Sequence, residues 1–170
     1  MPWRLGTSQY VPSRYYYARS IRGRGGGAKW YIARYYEVHK GNSRYGIIEI
    51  SPLNIQTLTS LGYSHRSVVK CRIVGSSLII SNTGEHRRIR TGVFKEHGYD
   101  TFEAKIYFTR KRIRSTGLPA HRDYRPLYGN VLIRLPQLSI IYKLLASIGI
   151  VNHVYLELAY SKNDLVLRKI

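Results

Sequence analysis

The sequence predicts a mainly β chain with short helices, built as two tandem β-β-α-β-β units behind a basic, extended N-terminal tail. Three observations predict it. Apolar and polar residues alternate over short runs bounded by Gly, Pro, Asn and Ser, as half-buried strands require. Two segments running from a proline to a glycine, Pro52 to Gly62 and Pro136 to Gly149, each interrupt the strands with a short helix. The positions after those glycines also correspond. Val69, Cys71, Ile73, Leu78 and Ile80 lie 7, 9, 11, 16 and 18 residues after Gly62, and Leu156, Leu158, Tyr160, Leu165 and Leu167 stand at the same offsets from Gly149. An internal duplication accounts for the shared offsets.

Residues 1–27 show no sustained hydrophobic period. They mix Arg4, Arg14, Arg19, Arg22 and Arg24 with Tyr10, Tyr15, Tyr16 and Tyr17 and end in a glycine run, which reads as a tail that becomes ordered when bound. The first unit, 28–81, opens with a strand carrying Trp30, Ile32, Tyr36 and Val38 on one face and Lys29, Tyr31, Tyr35 and Glu37 on the other. A turn at Lys40-Gly41-Asn42-Ser43 leads to a strand from Tyr45 to Ile50, ended by Pro52. A helix from Leu53 to Leu61 is closed by Gly62. Strands from Ser67 to Val74 and from Leu78 to Ser81 flank the turn Gly75-Ser76-Ser77.

Residues 82–101 read as a linker. The second unit, 102–170, begins with Phe102, Ala104, Ile106 and Phe108 on one strand face, followed by a long basic connection from Arg110 to Tyr128. A strand from Asn130 to Leu135 ends at Pro136. Leu138, Ile141, Leu145 and Ile148 then fall at helical spacing before Gly149. Strands from His153 to Tyr160 and Asp164 to Ile170 surround Ser161-Lys162-Asn163.

This order of elements resembles the AbrB/SpoVT family of DNA-binding domains. The resemblance rests on Ile47-Ile48-Glu49-Ile50-Ser51-Pro52, Leu61-Gly62 and Val68 to Ile80, and in the second unit on Val131 to Pro136, Ile148-Gly149 and Leu156 to Leu167. It covers residues 28–81 and 102–170. It implies a swapped-hairpin barrel, which two short chains make in the family and which two units of one chain would make here as a pseudo-dimer. The sequence departs from the family at the entry to the third strand, Ser64-His65-Arg66-Ser67 and Val151-Asn152-His153, and in the length of the second unit's first turn.

Charge points to the partner. The chain carries 28 Lys plus Arg against 9 Asp plus Glu, a net +19, and the excess is concentrated in residues 1–46 and 82–128. Such a surface calls for a polyanion, DNA or RNA before membrane. The candidate nucleic-acid contacts are Arg14, Arg19, Arg22, Arg24 and Lys29, then Lys40, Arg34 and Arg44 of the first hairpin, then Arg110, Lys111, Arg112, Arg114, Arg122 and Arg125 of the second. Guanidinium groups on a narrow two-stranded ribbon suit phosphates and a major groove. Tyr15, Tyr16 and Tyr17 beside arginines are candidates for base stacking, and Arg22-Gly23-Arg24-Gly25-Gly26-Gly27 resembles the RGG segments of RNA binders. Duplex DNA is the expected target, with the chain acting as a transcriptional regulator, a chromatin-like protein or a viral or plasmid nucleoprotein. The alternatives are an RNA-binding structural component of a ribosome or other ribonucleoprotein, and a self-assembling structural protein, as a homo-oligomer or with other proteins.

Nothing in the sequence argues for catalysis, a metal or a cofactor. Asp100, Glu103 and Lys105 echo a nuclease signature, but Glu103 and Lys105 share the outward face of a strand and read as an exposed ion pair. The six histidines lack ligand spacing, and Cys71 falls among apolar strand positions. Gly27-Ala28-Lys29-Trp30 is not the ending of a phosphate-binding P-loop. No apolar run approaches the roughly 20 residues that span a bilayer, and no signal-peptide core is seen. The expected setting is cytoplasmic, nucleoid-associated or inside a nucleoprotein particle.

Overall fold

The computed structural model describes residues 31–51, 54–111 and 127–170, with backbone alone at 31, 32, 110, 111 and 127–130. The expected tail over 1–27 lies outside them, as does most of the basic connection after Lys111. The described chain runs β1 (Tyr31–Lys40), β2 (Ser43–Ile50), α1 (Ile55–Ser60), β3 (Val68–Val74), β4 (Ser77–Asn82), β5 (Phe94–Glu96), β6 (Tyr99–Lys111), β7 (Leu127–Arg134), α2 (Ser139–Ser147), β8 (Val154–Ser161) and β9 (Asp164–Lys169).

Every strand pairs antiparallel with its neighbours. The order β3-β4-β9-β8-β1-β2-β7-β6 returns from β6 to β3 and closes an eight-stranded barrel, to which β5 adds at the start of β6. Closure gives each strand partners on both sides within the barrel, so among the described residues the barrel itself has no open edge there. The two closing contacts join distant parts of the sequence: Ala33 faces Leu156 across β1 and β8, and Val69 faces Ala104 across β3 and β6.

The alternating pattern sends one face of each strand inward. Val69, Cys71, Leu78, Ile80, Phe102, Ala104 and Ile106 meet Val131, Ile133, Leu156, Leu158, Leu165 and Leu167 in one buried cluster. Leu58 of α1 and Ile141 and Leu145 of α2 join the same core. Both helices end alike. Gly62 (φ +94°) and Gly149 (φ +84°) take the left-handed turn, and the next amides, Tyr63 and Ile150, donate back to the carbonyls of Leu58 and Leu145 at 3.0 and 2.9 Å. That turn drops Tyr63 and Ile150 into the core. Burying each such aliphatic side chain stabilises the fold by roughly 1.5–3 kcal/mol.

Two features differ from the sequence expectation. The buried face of β1 carries Ala33 and Tyr35, 2% and 1% exposed, whereas Tyr36 and Val38 are only partly covered. The cause lies on the neighbouring strand. Gly46 has no Cβ, and an added one would stand 2.7 Å from the Tyr35 ring and hydroxyl. The missing side chain is the space Tyr35 occupies, and its hydroxyl donates to Glu37 Oε2 at 3.3 Å. The second difference is in 82–101, read as a linker, where β5 and the first residues of β6 are strand.

Gly46→Ala should therefore lower unfolding stability by about 1–3 kcal/mol through overpacking. Urea unfolding checks this, and the cost should shrink in a Tyr35→Leu background, where the ring is gone.

Candidate nucleic-acid interface

Beyond Tyr35, β1 has left β8 and pairs only with β2, out to Lys40 opposite Ser43. This ribbon turns at Gly41, whose φ of +61° suits glycine. It leans on α2: the Tyr142 hydroxyl donates to the Arg44 carbonyl at 2.8 Å, and the Arg44 guanidinium stacks 4.1 Å from the Tyr142 ring centroid. Beyond Lys105, β6 bonds first to Arg66 and Ser67 through Ile106 and to His65 Nδ1 through the Phe108 amide, and it then runs on paired with β7, out to Lys111 opposite Leu127. Because β2 and β7 are antiparallel neighbours, the ribbons leave the barrel from opposite ends.

The expected contact residues are distributed unequally. Arg34 bonds Glu49 Oε1 at 3.2 Å and stacks on Tyr36, and Arg44 bonds Glu37 Oε1 through Nε and Nη2 at 3.1 and 3.0 Å. Lys40, at the ribbon tip, is exposed and has no carboxylate partner among the described residues. Arg110 and Lys111 lie on the β6–β7 ribbon. Arg14, Arg19, Arg22, Arg24, Lys29, Arg112, Arg114, Arg122 and Arg125, with Tyr15, Tyr16 and Tyr17, fall outside the described residues. The strand tyrosines have structural partners: Tyr45 carries the Arg134 guanidinium at 4.1 Å, Tyr107 meets the His65 ring edge-on, and Tyr160 donates to Asn54 Oδ1 at 2.6 Å.

Glu103 departs from the expectation of an exposed pair with Lys105. It is 2% exposed, and its carboxylate accepts two bonds from the Arg87 guanidinium, both 2.9 Å. It also accepts the Arg90 amide at 2.7 Å and Arg90 Nε at 3.3 Å. Arg87 and Arg90 come from the 82–98 segment, which lies over the outer side of the barrel, and Lys70 with Glu96 (2.9 Å) extends the network. The Arg87 bonds, with help from Arg90, hold the Glu103 carboxyl down at about 2. Asp100 pairs with Lys95 at 3.0 Å. These acids act as fasteners for the segment joining β4 to β6.

That use of acids is general. Glu37, Glu49, Glu85, Glu96, Asp100, Glu103, Glu157 and Asp164 all form ion pairs, and Asp123, the one remaining carboxylate, lies outside the described residues. Lys40, Arg66, Arg88, Lys105 and Arg134 are among the described cations with no acidic partner there.

Three of these converge where sequence reading proposed nothing. Arg88, Lys105 and Arg134, with Tyr107 and Gln137, line a shallow open groove of about 300 Å³ on the outer side of β6 and β7. Lys105 and Arg134 stand directly opposite each other in the ladder. The only signal was their outward parity on adjacent strands, and the register that joins them could not be read from spacing.

Among the described residues, no group of three or more His, Cys, Asp or Glu is placed to hold a metal, and no helix is long and apolar enough to cross a membrane. Burial pushes the Cys71 thiol well above its ordinary range, which disfavours the reactive thiolate. No family model, curated protein or solved structure matches the chain.

Because the Glu103 carboxyl is held below its ordinary 4.5, its contribution to stability is complete above that pH and fades as pH falls towards 2. Glu103→Gln should lower stability at neutral pH by about 1–3 kcal/mol, because it leaves one acceptor oxygen of two and turns an amide donor towards Arg87 and Arg90 in place of a negative charge. The variant should also lose less stability than the parent between pH 4.5 and 2, as urea unfolding across a pH series would record.

Proposed function

We propose that this chain is a nucleic-acid-binding protein and that duplex DNA is the target its geometry fits best. The observation that carries this reading is the internal use of the carboxylates. Every described acid already has a cation, so the excess charge of the +19 chain has no partner within the described barrel. A polyanion relieves that repulsion and gains the entropy of the counterions released from its phosphates.

The ribbons favour a duplex. Continuing the β2–β7 register, about eleven residue steps separate the start of β2 from the start of β7, roughly 36 Å. One turn of B-DNA is roughly 34–36 Å. Two ribbons at that spacing, leaving opposite ends of one barrel, suit successive major grooves on one side of a duplex, with Lys40 at one tip and Arg110 and Lys111 on the other ribbon. The tail and the 112–126 connection add further arginines to the same task. Phosphate contacts of this kind make a broad, salt-sensitive binder, as a chromatin-like protein or a nucleoprotein component would be.

The same reading includes a barrel made of two exchanged units. Its support is local repetition. The pairs Val69–Asn82, Cys71–Ile80 and Ile73–Leu78 of one hairpin recur as Leu156–Lys169, Leu158–Leu167 and Tyr160–Leu165 in the other. Arg66 (φ +70°) and His153 (φ +68°) adopt the left-handed conformation at matching positions, as do Gly75 (φ +61°) and Lys162 (φ +58°). The first strand of each unit pairs with the third strand of the other, β1 with β8 and β6 with β3, which is the exchange a swapped-hairpin pseudo-dimer requires.

The test is a binding series on duplex DNA, single-stranded DNA and structured RNA at several salt concentrations. Duplex binding should weaken steeply with salt, and Arg110→Ala, Lys111→Ala and Arg112→Ala together should reduce the slope of log K against log salt by about 2–3. An unchanged slope would remove the second ribbon from the interface. Preference for RNA would move the reading to a ribonucleoprotein component.

A further inference from the structure

We infer that the groove lined by Arg88, Lys105 and Arg134 is a seat for a backbone phosphate of the bound nucleic acid. The inference rests on the nucleic-acid reading and adds a site that neither the ribbons nor the tail contains.

The argument begins with the ladder. Lys105 and Arg134 are directly opposed across β6 and β7, on the outer face. Like charges facing each other in a sheet repel and weaken the pair. The corresponding position in the first half of the chain is Arg34 opposite Glu49, an ion pair at 3.2 Å. The correspondence follows from pairing: Ala33 faces Leu156 and Ala104 faces Val69, and Leu156 and Val69 are the matched positions of the two later hairpins. Arg34 and Lys105 come next in their strands, each followed two residues on by a tyrosine, Tyr36 and Tyr107. One half thus places a carboxylate opposite its cation, and the other places a second cation there.

Around that opposed pair the site is built to receive an anion. Arg88, exposed and without an acidic partner among the described residues, adds a third positive charge from the segment after β4. Arg134 is steadied by stacking on Tyr45, 4.1 Å from the ring centroid, which orients the guanidinium without neutralising it. Ile89 and Pro136 form an apolar wall, and about 300 Å³ of open groove leaves room for a phosphodiester and its adjoining sugar. A bound phosphate turns the Lys105–Arg134 repulsion into two charge-assisted hydrogen-bond partnerships. Without one, the pair is a local cost to the fold, as functional sites commonly are.

Arg134→Glu makes the second half resemble the first, so it separates binding from stability. Unfolding of the free protein and binding to a labelled duplex would be measured together, with Lys162→Glu, an exposed cation outside the groove, as the control for net charge. Arg134→Glu should raise the urea midpoint, weaken duplex binding at least tenfold more than Lys162→Glu, and reduce the salt slope by about 1 beyond the control. Lys105→Gln, which removes a charge without adding one, should repeat the binding loss and covers the case in which Arg134→Glu misfolds. Equal binding by the groove variants and the control, with the parent still binding, overturns the groove and leaves the nucleic-acid reading intact. A parent that binds no nucleic acid at low salt overturns both.

Discussion

The pairing of β3 with β6 is the contact on which the rest of the molecule depends, because it turns an open row of strands into a ring. It buries Cys71 against Phe102 and Val69 against Ala104, apolar residues that an open sheet would leave half wet. It carries the outer face of β6 to where Arg87 and Arg90 can reach Glu103. It also fixes which residues of β6 lie beside β3 and which run on paired with β7. Closing this ring joins segments far apart in sequence, a slow step in folding, and the two local hairpins with their helix-ending glycines reduce the search that precedes it.

Acid scarcity is the second constraint. With 9 carboxylates for 28 cations, each carboxylate that is placed decides which part of the surface becomes neutral. Glu103 and Glu96 fasten the segment after β4, Glu37 steadies the first ribbon through Arg44, and Glu157 and Asp164 sit with Arg168 and Arg72 on the later hairpins. Apart from the buried Glu103, such exposed pairs add little stability individually. Their larger effect is to neutralise the surface around them, which leaves cations such as Lys40 at a ribbon tip and Arg88, Lys105 and Arg134 at the groove uncompensated among the described residues.

Most of the strand and helix pattern was legible in the sequence, because alternation and the two Pro-to-Gly segments are local signals. The helix ends at Gly62 and Gly149 follow from backbone chemistry that one residue type provides. What was not legible depends on neighbours across a ladder. Tyr35 turns inward because Gly46 on the next strand leaves it room, and no period within β1 records that. Glu103 looked like an exposed acid beside Lys105, since the arginines that cover it stand 13 and 16 residues away in a stretch without period. Which strands meet in the ring was not legible either, because single-strand patterns do not specify pairing partners.

The groove shows why charge counting alone could not have located it. Arg88, Lys105 and Arg134 come from three separate stretches, and each looks like an ordinary outward-facing cation in its own stretch. Only the register makes Lys105 and Arg134 neighbours, and only comparison with Arg34 and Glu49 makes their likeness unusual. On the proposed two-unit reading, a fold selected for stability alone would gain by placing an acid at either position, as the Arg34–Glu49 pair does. Retaining two cations there carries a repulsion that a passing phosphate would remove. On the proposed reading, the asymmetry between the halves divides their work: the Arg34–Glu49 half is closed upon itself, and the Lys105–Arg134 half stays open to an anion.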